Sequence, residues 1–219
     1  QTISQLKDVL TALGAKSVAV EAERMTLKQY AELARALDGI DIVCDGELDL
    51  EIEKIRSIKS KSQVEKIVKA QRIAEAAFEH ILTFIKEGVT EKEVALELDY
   101  YMLSHGADGL SFETIAVSGK NSSKPHGVPS DKKIEKGDFV TMDFGAVVEG
   151  YHSDMTRTVA VGFVTDEQKN VYETVLKAQE AAQAAASSGV CCADVDKAAR
   201  DVIENAGYGE YFNHSTGHG

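Results

Sequence analysis

The stretch TMDFGAVVEGYHSDMTRT, residues 141–158, reads as one β-hairpin whose two arms each carry an aspartate. Side chains alternate faces along a strand, so Val140, Met142 and Phe144 share one face while Thr141 and Asp143 share the other. On the returning arm Asp154, Thr156 and Thr158 share a face, and the turn between the arms contains Gly150. A turn centred near Val148 and Glu149 puts Asp143 and Asp154 roughly opposite each other. Cross-strand neighbours stand only ~4.5–5.5 Å apart at Cβ. Two carboxylates that close, in a partly buried setting, repel unless one is protonated or a cation or metal lies between them. The hairpin alone leaves two readings open. Either the acids are solvated on a wet strand face, or they belong to a two-metal site with ions ~3.5–4 Å apart.

Outward from the hairpin, FETIAVSG (residues 112–119), DFVTMDFGA (138–146) and YHSDMTRTVAVG (151–162) are strand-like. The loop KNSSKPHGVPSDKKIEKG (120–137) lies between the first two and holds both prolines of the chain. Before these strands comes a long helix in which Ser62 and Glu65 form a capping signature. Val64, Ile67, Val68, Ala74, Ala77, Phe78, Ile81 and Ile85 give it one apolar face, and Gly88 stops it. Thr90 and Glu93 open a second helix, ended by Gly106. After the strands, Thr165 and Gln168 open a helix to about residue 187, and another runs from about 193 to 205. Strands segregated from helices indicate α+β, with helices over one face of an antiparallel sheet. Near the start, SVAV, MTLKQYAELARAL and DIVC form a small βαβ piece over residues 17–45. The charged DGELDLEIEKIRSIKSKS follows, and a domain boundary or linker is expected near residues 46–60.

The net charge of −12 argues against a nucleic-acid partner, which needs clustered Lys and Arg. No apolar run approaches the ~18–20 residues that span a bilayer, so no membrane partner is expected. QTISQLKDVL has neither a basic start nor an apolar core, so no signal peptide is visible. Cys44, Cys191 and Cys192 make a poor disulfide framework and suit a reducing cytoplasm, where they read as packing residues.

Among the histidines, His80 and His105 read as ordinary helix residues, and His152 has no evident role. His126 sits in KPHGVP, a proline-bounded loop feeding the strand of Asp143. His214 and His218 form H-x-x-x-H in NHSTGHG. That spacing lacks the glutamate of a zincin helix and is weak alone. Beside two aspartates that need a counter-cation, it becomes a source of ligands.

TMDFGAVVEGYHSDMTRTVAVG, SGKNSSKPHGVPSDKKIEKGD and HSTGHG together resemble the prolidase and aminopeptidase P branch of the pita-bread metallopeptidases. The resemblance implies a remnant of an α/β creatinase-like N-terminal domain over residues 1–55 and a partial pita-bread catalytic domain over 56–219. It implies two divalent ions, manganese with cobalt or zinc as substitutes: Asp143 on one, Asp154 bridging both, His218 on the second. A hydroxide bridging the ions would attack the scissile carbonyl. His126 and His214 match positions that contact substrate and the developing oxyanion, and Thr156 would steady Asp154. The implied substrate is a peptide with proline in second place, whose X–Pro amide has no N–H. Aminopeptidase and dipeptidase stay unseparated, and a homodimer is implied for the full-length protein. In this branch two glutamate ligands and a further histidine lie beyond the H-x-x-x-H segment. The 219-residue chain is therefore expected to be inactive alone, with an uncovered sheet edge. A metal-free creatinase-like hydrolase and a non-catalytic binding module are the alternatives; Asp143, Asp154 and His218 weigh against both.

Overall fold

The protein is described here by a computed structural model covering residues 3–217. The chain divides into two compact units, Gln1–Glu65 and Lys66–Gly219.

In the first unit the order is α1 (Ile3–Ala12), β1 (Ser17–Ala19), α2 (Leu27–Ala36), β2 (Asp41–Val43) and α3 (Glu47–Ser57). β1 and β2 pair in parallel across α2, with Val18 opposite Ile42, so the expected βαβ piece is present. Thr26 and Gln29 cap α2 reciprocally, and Leu33 and Leu37 on its inner side pack with Val20. The segment read from sequence as a domain boundary or linker holds α3. Its ends follow the helix dipole, with Glu47 and Asp49 in the first turn and Lys54 and Arg56 in the last. Buried Asp49 accepts hydrogen bonds from the amides of Ala22 and Glu23 at 2.8 and 3.3 Å, tying α3 to the loop after β1.

α4 (Lys61–Phe84) follows, and the division between units falls in its first turns. Its cap is Ser60 with Gln63, not Ser62 with Glu65. The Ser60 amide donates to Gln63 Oε1 at 2.7 Å, and the Gln63 amide donates back to Ser60 Oγ at 3.4 Å. The second unit continues with α5 (Glu91–Ser104), β3 (Gly109–Leu110), β4 (Ile115–Ser118) and a 3₁₀ turn (Gly119–Ser123). Then come β5 (Phe139–Phe144), β6 (Ala146–Val148), β7 (Tyr151–His152), β8 (Met155–Ala160), α6 (Asp166–Ala185) and α7 (Cys192–Asn205). Thr90–Glu93 and Thr165–Gln168 cap α5 and α6 as expected.

The hairpin feeds two three-stranded antiparallel sheets, β4-β5-β8 and β3-β6-β7. One face of β4-β5-β8 is the core. Ala116, Val140, Met142, Phe144 and Met155 meet Ala74, Ala77 and Ile81 of α4 and Val94, Leu98 and Met102 of α5. α6 and α7 pack on each other separately, through Ala178, Ala182, Ala199 and Ile203.

The turn is Glu149–Gly150, with φ of 50° and 79°, closing the Val148–Tyr151 pair. Both central residues are left-handed, the condition for a type I′ hairpin turn. The turn thus lies one residue later than the sequence suggested, and each cross-strand partner moves by two. Asp143 faces Thr156, not Asp154. The two ladders keep one register, so Gly145 falls across from Asp154 in the break between them. A Cβ on Gly145 would sit 2.0 Å from the Ser153 carbonyl oxygen, so only glycine fits this close approach. All three cysteines are exposed, so they are not packing residues. Among the described residues no helix is long and apolar enough to cross a membrane.

Candidate metal centre

The face of β4-β5-β8 turned away from the helices carries Ile115, Val117, Thr141, Asp143, Thr156 and Thr158. Thr141 and Thr158 are paired, their hydroxyl oxygens 3.0 Å apart. Beside them Thr156 Oγ1 donates to Asp143 Oδ1 at 2.7 Å, fixing one oxygen of a half-buried carboxylate. Thr156 therefore steadies Asp143, where the sequence reading gave it Asp154. Asp154 is exposed and lies beyond Thr156 on the same arm, diagonal to Asp143 in the hairpin register.

His126 is exposed on the loop between β4 and β5. The next residue, Gly127, is buried against Val117, where an added Cβ would come 2.8 Å from Val117 Cγ1. Val117 is the neighbour of Ile115, the residue opposite Asp143, on the same open face. The loop therefore folds onto the face that displays Asp143.

His214 follows α7 in a segment held by side chains that the sequence reading did not single out. Arg200 donates to the carbonyls of Phe212 and His214 at 2.9 and 3.1 Å, and its guanidinium lies 4.5 Å from the Phe212 ring centre. Asp196, one turn before it on α7, pairs with Arg200 at 3.0 Å and accepts from the Thr216 amide and hydroxyl at 2.7 and 2.8 Å. The Arg200 hydrogen bond first, then those from Thr216, lower the Asp196 carboxyl to about 2. The only available sequence signal was the i,i+4 Asp–Arg spacing, common on any helix. His214 Nδ1 lies 2.7 Å from the Ser215 carbonyl. His218 lies outside the described residues.

Among the described residues, no three His, Cys, Asp or Glu side chains gather into a group able to hold an ion. What is present fits a divalent ion in chemistry: carboxylate donors on the two arms of the hairpin, of which Asp143 is fixed by a hydroxyl. Carboxylate with imidazole suits manganese, cobalt or zinc.

The sequence model of metallopeptidase family M24 matches residues 65–219, and the chain belongs to that family. Its fold is that of the pita-bread metallopeptidases. An uncharacterized peptidase, YqhT, of Bacillus subtilis is 45% identical over 217 residues, 99% of this chain and 61% of that protein. The solved Xaa-Pro dipeptidase from Bacillus anthracis superposes with a TM-score of 0.94 at 43% identity, over 99% of this chain and 60% of that one. The X-Pro aminopeptidase from Thermotoga maritima gives 0.92 at 41%, over 99% of this chain and 61% of that one. The chain thus spans about three-fifths of the length of these relatives.

Proposed function

We propose that this chain is the larger part of an Xaa-Pro metallopeptidase, removing the N-terminal residue from peptides with proline in second place. The carrying observation is the family M24 match over residues 65–219, supported by the Asp143 carboxylate that Thr156 fixes on β5 and by Asp154 in the segment just before β8. Relatives named as X-Pro dipeptidase and aminopeptidase both superpose closely, which supports the Xaa-Pro class and leaves either chain-length preference within it.

Asp143, Asp154 and His218 would hold two divalent ions, with manganese the proposed metal. When bound, such ions acidify a water and polarise a carbonyl at neutral pH. Thr156 keeps one Asp143 oxygen occupied and so fixes which oxygen is free to ligate. His126, exposed above the open face, supplies a ring nitrogen to the substrate. The Ser215 carbonyl only accepts, so His214 Nδ1 carries the proton of that hydrogen bond. That leaves Nε2 as the ring nitrogen turned over to the substrate and the developing oxyanion, the roles proposed for His214. Three exposed free thiols suit a reducing cytoplasm.

The test is manganese-dependent release of alanine from Ala-Pro and Ala-Pro-Ala. It uses a polypeptide extended to the full length of the relatives, beside its Asp154→Asn variant. Turnover by the parent and a loss of at least about a hundredfold in the variant are expected. An inactive parent with metal bound would reject the peptidase reading in favour of a non-catalytic one.

A further inference from the structure

We propose that Glu91 is a positioning residue for His126, one buried carboxylate that ties down both ends of the loop carrying the histidine. Glu91 opens α5 and is 1% exposed. Its Oε1 accepts from the Ser118 amide at 2.6 Å, the Ser118 hydroxyl at 3.0 Å and the Asn121 side chain at 3.1 Å. Its Oε2 accepts from the Ser130 amide at 3.1 Å and the Ser130 hydroxyl at 2.6 Å. Ser118 and Asn121 precede His126 in the chain, and Ser130 follows it. Asn121 also reaches Oε2 at 3.4 Å, so Oε1 holds the upstream end and Oε2 holds the downstream end with a weaker tie upstream.

A buried carboxylate without partners is costly, so this one persists because it is saturated with donors. Burial pushes its proton affinity up, but donors from Ser130, Asn121 and Ser118 outweigh that and hold Glu91 below the ordinary glutamate value. The start of a helix also favours the negative charge. A cation acts through a hydroxyl: Lys132 Nζ donates to Ser118 Oγ at 2.9 Å and to Asp138 Oδ2 at 2.6 Å. Main-chain bonds extend the clamp, from the Glu91 amide to the Lys132 carbonyl at 3.0 Å and from the Lys92 amide to the Ser130 carbonyl at 3.1 Å. Between the anchors the loop meets the sheet where Gly127 packs on Val117. His126 therefore sits next to a close sheet contact of a loop fixed at both ends.

A carboxylate is required because both oxygens only accept. Glutamine in its place turns an NH2 toward one of the two donor sets, and that end of the loop loses its partner with almost no change in volume. The inference rests on the role given to His126 above, and the experiment separates the two. Glu91→Gln, His126→Ala and the double variant are made in the full-length, manganese-loaded protein. Amide hydrogen exchange across residues 118–130 is read alongside kcat and KM on Ala-Pro.

Exchange in Glu91→Gln is expected to quicken about tenfold to a hundredfold, the scale of lost bonds to a charged group. kcat/KM should fall by a similar factor, as a misplaced group near the chemistry does. The double variant should be no slower than His126→Ala alone, because the histidine's position no longer matters once it is gone. Unchanged exchange, or a Glu91→Gln loss that multiplies onto His126→Ala, overturns the proposal. Normal rates in His126→Ala would remove the role of that histidine and the positioning with it, while the exchange data still judge the loop. If Glu91→Gln does not fold, Ser130→Ala with Ser118→Ala removes donors from the two ends and is read in the same way.

Discussion

Thr156 occupies the place where a direct carboxylate pair was expected, and this substitution of partner changes the electrostatics of the hairpin. Two acids ~4.5–5.5 Å apart would each raise the cost of ionising the other. A hydroxyl opposite Asp143 instead donates at 2.7 Å and holds the carboxylate in one orientation, while Asp154 stands a step further along the arm. Outer groups that orient ligands are typically worth ~10–100-fold in metal affinity. Thr156→Ala is therefore expected to weaken manganese binding by about tenfold. Thr156→Ser, which keeps the hydroxyl, should stay near the parent. Thr156 is exposed, so thermal stability should move by less than about 1 kcal/mol in either variant. Calorimetric titration with manganese separates these outcomes, and equal affinity for parent and Thr156→Ala would show that the hydrogen bond does not prepare the ligand.

Helix α7 presents Asp196 and Arg200 one turn apart, and together they hold the chain from Phe212 to Thr216, on both sides of His214. The pH dependence of that clamp has a definite sign. With its carboxyl lowered from 3.8 to about 2 in the folded chain, Asp196 contributes stability that is fully present above the ordinary value. The contribution is lost as pH falls from about 4 toward about 2. Exchange of the Thr216 amide, measured by NMR relative to the intrinsic rate at each pH, should accelerate across that acid window in the parent. In Asp196→Asn it should already be fast at neutral pH and lack the acid step; a parent profile flat through the window would mean the clamp does not hold the segment. Elements of this kind were unevenly legible in the sequence. The Thr90–Glu93 and Thr165–Gln168 boxes were read correctly because nothing nearby competes with them. In SKSQVE two overlapping boxes compete, and the geometry selects Ser60 over Ser62. The hairpin register was missed because Glu149 at φ 50° is a conformation that glutamate seldom adopts. It is held there by Lys66 at 2.9 Å and by its own amide donating to Asp108 at 2.6 Å, both remote in sequence. Glu91 was invisible as an anchor for the same reason: an acid in the first turn of a helix is ordinary, and its five donors come from the end of β4 and the loop after it.

At the scale of the whole chain, the two compact units differ in what they contribute to the candidate site. Every described residue assigned to it, His126, Asp143, Asp154, Thr156 and His214, lies in the unit Lys66–Gly219, as does the family match apart from its first residue. The first unit has its own small core of Val20, Leu33 and Leu37 and supplies none of these groups. That asymmetry was legible early: α+β character, the hairpin acids and the histidine-bearing loop all lie in one continuous stretch. The charged α3 was read as a domain boundary or linker because its apolar positions are sparse and Leu50 and Ile55 stay exposed. A ligand that binds only the folded second unit stabilises that unit and leaves the other unchanged. At manganese concentrations near a hundred times the dissociation constant the gain is about 2.7 kcal/mol. For a unit of this size it raises the unfolding midpoint by about 5–10 °C. Scanning calorimetry of the chain should therefore show one transition moving with manganese and one standing still. Asp143→Asn and Asp154→Asn should each abolish the movement without altering the stationary transition. A shift of both transitions, or one that persists in the two asparagine variants, would place the metal elsewhere than on the hairpin.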